Sequence, residues 1–363
     1  MKVSIPMTNT LAALACAALA LAIVPRPAAA DDTLTIMQGS VNPALYSVAD
    51  IVADRAGFFK DEHLNVVSQL ANNPSVAAAL VASGKGDLCS VSAQAILQGY
   101  EKGLHLVYFL AHSARYSNVM AVLDDSPIRT LADFKGKNIG LTTIGGDGEV
   151  TARVMLAGAG ITTNEVTFSP IGYGPQAVEA VADRHVDGVA YPYGEVVPME
   201  VLANVKMRVF RDPILSDVAN SGYATTAETM KTKADALKRY ARAIVKASLY
   251  VHYNPQVAAL WFLQASQLRV TPQTLKNEAG ELALLQGDLL AANPTNKRIG
   301  YMSPLGLGVL SKVLNDYGLT HTLVPADAIT TDQFVAFAND FDHKAVIAYA
   351  KREHLTANGE VAP

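Results

Sequence analysis

Strand-like and helix-like segments alternate along the chain from Thr33, and the alternation starts again after residue 125. Thr33–Met37 has the two-residue period of a strand. A helix is expected over Tyr46–Phe59, where Val48, Ile51, Val52, Arg55 and Phe59 recur near helical spacing. Leu64–Val67 reads as a second strand. Asn73-Pro74 then opens a second helix, because Asn caps well and Pro is favoured at the first helical position. Strands follow at Asp87–Val91 and Leu106–Leu110. The second round gives a short helix at Leu131–Phe134, a strand at Lys137–Leu141, a helix to about Ala159 stopped by Gly160, and a strand at Val166–Phe168. This pattern demands helical crossovers between parallel strands and fixes the class as α/β.

The two rounds echo one another. Ala77, Val81, Ala82 and Asp87 recur one hundred positions later as Ala177, Val181, Ala182 and Asp187. Turn chemistry common to all helix-to-strand joints is an alternative explanation of the echo. After about Tyr223 the texture becomes helical: Ala234–Tyr250, Pro255–Gln264, Pro272–Leu290 and Leu305–Tyr317, with a further helix or two over Thr331–Val346 and a frayed end from Thr356. Two lobes are expected, residues 31–118 with 224–363 forming one and 119–223 the other. Each would hold a mixed, mostly parallel sheet flanked by helices. The chain would cross between them near Ser117–Val122 and Asn220–Thr225.

Residues 1–30 have the plan of an export leader: Lys2, an apolar run from Leu11 to Val24, and Ala28-Ala29-Ala30 as a cleavage site. The residues before Cys16 do not form a good lipidation signal. The 333 residues that follow carry 27 basic and 33 acidic side chains, a balance that excludes nucleic acid as a partner. Only Cys89 remains after cleavage, so no disulfide is expected within the chain, and no motif places a base beside it. His63 and His112 lack metal-ligand spacing, and no phosphate loop, nucleophile elbow or dinucleotide fingerprint is present. No catalytic residue, metal or cofactor is expected.

Three stretches carry a family likeness. Residues 57–64, GFFKDEHL, resemble a G-F-F-K-D-E-G-L run; Ala82-Ser83-Gly84-Lys85-Gly86-Asp87 resembles an A-S-G-x-x-D turn; and residues 131–140, LADFKGKNIG, resemble L-x-D-L-K-G-K-x-I-G. These are motifs of periplasmic solute-binding proteins of the nitrate/sulfonate/taurine type of ABC importer, the NMT1/THI5-like group, which includes binders of pyrimidine precursors related to thiamine biosynthesis. His63 stands where the family pattern has Gly. The resemblance runs from about residue 34 to residue 260. It implies a two-lobe periplasmic-binding-protein fold of type II, a monomer exported to the periplasm that closes on a small organic solute. The solute classes in view are a sulfonate, an aromatic acid, a zwitterion or a pyrimidine-like ring. The implied partner is a membrane permease. Two alternatives accompany this reading: a binding protein that feeds a sensor, and an enzyme like the cytosolic pyrimidine-precursor synthases, whose cysteine-rich iron site has no counterpart here.

Ligands in open α/β sheets lie outside the carboxyl ends of the strands. That rule selects Gln38, Gly39 and Ser40 with Tyr46; Asn73 and Ser75; Ser90 and Ser92 within Cys89–Gln94; the stretch TTIGGDGEV at 142–150; and Tyr191 and Tyr193 within Ala190–Glu195. Tyr173 and Tyr116 are further aromatic walls, and Arg115 and Arg153 are candidate anion partners. Asn73 also reads simply as a helix cap. Two readings of TTIGGDGEV are open. In one, Gly145-Gly146 makes a turn, Asp147 caps a helix and Glu149 complements its dipole. In the other, Thr142, Thr143 and the Gly145 and Gly146 amides grip an anion, or Asp147 receives a ligand amine. Tyr191→Ala and Gly146→Val are expected to weaken binding with the fold intact.

Overall fold

A computed structural model gives the fold. It describes Met1 and residues 31–40, 43, 45–113, 118–211, 221–291, 298–356 and 360–362. The expected leader from residue 2 to 30, Arg115, Tyr116 and the chain at 212–220 lie outside the described residues.

The first sheet takes β1 (Asp32–Gln38), β2 (Leu64–Leu70), β3 (Leu88–Ser92) and β4 (Leu106–Ser113). The chain then leaves for a second sheet of β5 (Asn118–Leu123), β6 (Asn138–Leu141), β7 (Thr167–Pro170), β8 (Gly188–Pro192) and β9 (Met207–Phe210). It returns with β10 (Ser221–Thr226), which enters the first sheet. Strand orders are β2-β1-β3-β10-β4 and β7-β6-β8-β5-β9. In each sheet the first three strands are parallel, and the strand that crosses from the other lobe, β10 or β5, inserts antiparallel. The two lobes therefore share one topology.

Helices cover the sheets. The first round supplies α1 (Val48–Arg55), α2 (Phe58–Asp61), α3 (Pro74–Ala82) and α4 (Ala93–Glu101). The second supplies α5 (Asp147–Gly158), α6 (Pro175–Ala182) and α7 (Tyr193–Ala203). The helical third of the chain opens with α8 (Ala227–Thr232), α9 (Ala234–Tyr253), α10 (Pro255–Ala265) and α11 (Pro272–Ala291), then α12 (Pro304–Asp316). α9 is the spine of the first lobe. Its Leu237, Tyr240, Ile244, Val245 and Tyr250 are buried against Val48, Val52, Phe58 and Phe59. The second lobe has two smaller cores, one on each face of its sheet.

The single helix expected over Tyr46–Phe59 is broken. A 3-10 turn at Leu45–Ser47 precedes α1, and Gly57 at φ 79° bends the chain before α2. That bend lets Phe58 and Phe59 turn inward while Glu62 meets Arg242 and Lys246 of α9. The hundred-residue echo is a true equivalence of position. Asp87 accepts the Thr35 N–H at 2.8 Å, and Asp187 accepts the Asn138 N–H at 2.8 Å. Each aspartate thus ties the joint after α3 or α6 to the central parallel strand. β9, which pairs with β5, had no counterpart in the sequence reading. Over Thr331–Val346 only the short helix Val335–Ala338 and the start of His343–Arg352 form.

Candidate functional site

The candidate site lies at the strand ends, where the two sheets' loops approach one another. β1 finishes at Gln38, and Gly39 follows because any Cβ there would sit 2.8 Å from Pro74 Cα at the start of α3. Ser40 bonds to the hydroxyl of Tyr46, whose ring stacks on His112 at 5.9 Å between centroids. His112 is held from both sides: Nε2 lies 2.9 Å from Ser90 Oγ and Nδ1 lies 3.3 Å from Ser221 Oγ. Burial pulls its pKa down to about 3, so the ring is neutral. Behind it, the Tyr223 hydroxyl donates to Asp50 at 2.8 Å, Tyr240 donates to the other oxygen, and the Gln38 amide lies at 3.4 Å. Asp50 is fully buried and its pKa is pushed up to about 6.

The second lobe answers with TTIGGDGEV and the loop after β7. The Thr142 hydroxyl bonds to Tyr173, whose ring is 54 % exposed and meets Tyr191 edge-on at 6.1 Å. The charges of Asp147 and Glu195 both bear on the Tyr173 hydroxyl, as does Tyr46 from the opposite lobe. Burial raises Asp147 to about 7 and also lifts Glu195. The lobes touch directly here: Gln94 of α4 donates its Nε2 to Gly145 O at 2.7 Å.

Several expectations change. Gly146 is the cap residue of α5, and Asp147 is the first residue inside it. The Gly145 N–H donates to Glu149 Oε2 at 2.6 Å, so that amide is not open to an anion. Arg153, a candidate anion partner, pairs instead with the buried Glu149, with Nε to Oε1 at 2.7 Å. Thr143 is exposed, with its hydroxyl on Ile144 O. Tyr191 is fully buried and gives its hydroxyl to Gly172 O; it supports Tyr173, and its removal disturbs a core. Tyr193 lies under the Arg211 guanidinium at 4.2 Å. Asn73 and Ser92 cap α3 and α4. Asn73 and Ser75 line a separate open groove of about 470 Å³ between α3 and α4. Cys89 is buried with its thiol on Ala224 O, and burial pushes its pKa up.

Sequence reasoning passed over His112 and Asp50 as site residues, took in Gln94 only as the end of Cys89–Gln94, and passed over the pair Glu278 and Glu281 on α11. Glu-x-x-Glu at one-turn spacing was visible at 278–281; where that helix lands was not. Among the described residues no three His, Cys, Asp or Glu are grouped to hold a metal ion, and no helix is long and apolar enough to cross a membrane.

The family model for NMT1/THI5-like proteins matches residues 44–258, more than half of the chain. The chain belongs to the NMT1/THI5-like family. A Haemophilus influenzae protein named for thiamine biosynthesis is 30% identical over 148 residues, which are 40% of this chain and 46% of that relative. The match therefore spans under half of the relative's length. Among solved structures, the periplasmic aliphatic sulphonate binding protein SsuA of Escherichia coli superposes with a TM-score of 0.64 at 15% identity, covering 82% of this chain and 91% of that one. SsuA of Xanthomonas axonopodis pv. citri, bound to MOPS, gives 0.61 at 14% identity, over 82% and 98%. At such identities the likeness is one of fold: NMT1/THI5-like membership and the paired sheets give a two-lobe periplasmic-binding-protein architecture.

Proposed function

We propose that the protein is the extracytoplasmic solute-binding component of an ABC importer. It captures a small organic solute between its lobes and presents the closed complex to a permease. What supports this reading is the pair Tyr46 and Tyr173, contributed by opposite lobes and near enough for Tyr46 to act electrostatically on the Tyr173 hydroxyl. A solute that touches both rings favours the closed arrangement over the open one by its differential contacts. The lobes, 31–118 with 224–363 and 119–223, move as bodies about the two crossing strands. The fold shared with sulfonate-binding proteins supports the class of function. An export leader ending near Ala30 fits it.

A hydrolytic or synthase activity has less support. Ser90 is fully buried, and His112 is neutral and committed at both nitrogens. The test is a thermal-shift panel on the exported protein, covering alkyl and aryl sulfonates, zwitterions, aromatic carboxylates and aminopyrimidines. A solute at about 100 times its Kd adds about 2.7 kcal/mol, a clear upward shift. The shift should vanish for the hit in Tyr173→Ala. A hit whose shift survives unchanged in that variant contradicts the cleft as its site.

A further inference from the structure

We infer that the cleft selects a cation: a planar ring bearing a protonated amine or a similar nitrogen cation, lying between Tyr46 and Tyr173 with its charge towards Glu195, Glu278 and Glu281. This rests on the solute-binding reading above and names the ligand class of that same site.

The first observation is a group of carboxylates that form no ion pair among the described residues. Glu195 lies in the first turn of α7, and α11 packs against α7. Glu278 and Glu281 sit one turn apart on α11, and the charges of Glu195, Glu278 and Glu281 act on one another. Glu281 is 6 % exposed, yet no ion pair or hydrogen bond holds its side chain among the described residues. Glu278 Oε2 is buried without a hydrogen-bond partner. Burial and mutual repulsion push Glu278 up to about 7 and Glu281 up to about 9, as expected for acids that lack a cation. Glu195 links this group to Tyr173, whose hydroxyl feels its charge.

The second observation is independent of the acids. Along the strand ends, the buried side-chain atoms left without partners are Gln38 Oε1, Gln94 Oε1 and Asn118 Oδ1. The amide orientations of Gln38 and Gln94 are fixed, because each Nε2 faces an acceptor, Asp50 Oδ2 and Gly145 O. What remains at both positions is therefore an acceptor. The Gln94 side chain is 4 % exposed, and its head lies in the seam against Gly145, two residues before Asp147. An incoming donor satisfies such atoms, whereas a sulfonate or carboxylate brings only more acceptors. Tyr46 and Tyr173 offer faces that attract a cation. A metal ion fits less well, since the described acids and histidines do not group with ligand spacing.

The test uses three probes with one ring and linker: benzylammonium, benzyl alcohol and phenylmethanesulfonate, titrated calorimetrically into the exported protein. Benzylammonium is expected to bind at least about tenfold tighter than either of the others. Glu278→Gln and Glu281→Gln, which keep shape and remove an acid able to ionise opposite a bound cation, should each lower its affinity at least about tenfold with folding intact. Preference for the sulfonate overturns the inference; if that binding is lost in Tyr173→Ala, the cleft reading still stands. Unchanged benzylammonium affinity in both Glu→Gln variants overturns it as well, and so does silence of all three probes at about 1 mM. Benzylammonium binding that Tyr173→Ala leaves untouched removes the cleft reading itself.

Discussion

His63 occupies the left-handed region at φ 52°, in the turn where the family pattern carries Gly. A non-glycine residue there costs about 1–2 kcal/mol. Its contact with Asp31, 3.7 Å between exposed groups, returns little. Glycine's extra freedom in the unfolded chain offsets part of the relief. His63→Gly should therefore raise stability by up to about 1 kcal/mol in urea unfolding; a loss of stability would contradict the account. Asp50 makes a sharper prediction. Its folded pKa is near 6, above the 3.8 of a free aspartate. Between those values the native state holds a proton that the unfolded state has shed. Stability from this group is thus full below pH about 4 and is lost as pH rises through 6, by on the order of 3 kcal/mol. Asp50→Asn should remove that slope, so its stability relative to the parent climbs between pH 4 and 6. A constant difference over that range would contradict the assignment.

At the scale of elements, the start of α5 is the most constrained feature of the second lobe. Gly148 is there because a Cβ would lie 2.3 Å from Ala190 O on β8. Gly148→Ala should cost about 1–3 kcal/mol in unfolding experiments and shift TTIGG away from Tyr173. Unchanged stability would mean that α5 does not press on β8 as described. Legibility in the sequence followed range. The cap at Asn73, the stop at Gly160 and the βα alternation are local in chain and could be read. The bend at Gly57 was hidden, because helical spacing continues through it from Val48 to Phe59. Glu149 looked like a dipole partner; only the fold shows it turning back to Gly145 and holding Arg153. Tyr191 and Tyr173 look alike in sequence, but one is buried beneath the other. Glu278 and Glu281 fall inside the expected helix Pro272–Leu290, and only the fold shows that this helix lands on α7.

For the whole molecule, one topology used twice sets the cleft. The crossing strands β5 and β10 enter opposite sheets antiparallel. Gln94 bridging to Gly145 joins the two lobes beside the strand ends. Affinity should then depend on both lobes at once. The most direct measurement is calorimetric titration of the first panel hit into the parent protein, Tyr46→Ala and Tyr173→Ala. The account predicts that each single variant, one in each lobe, binds at least about tenfold more weakly than the parent. Full affinity in either variant would contradict a solute held between the two lobes.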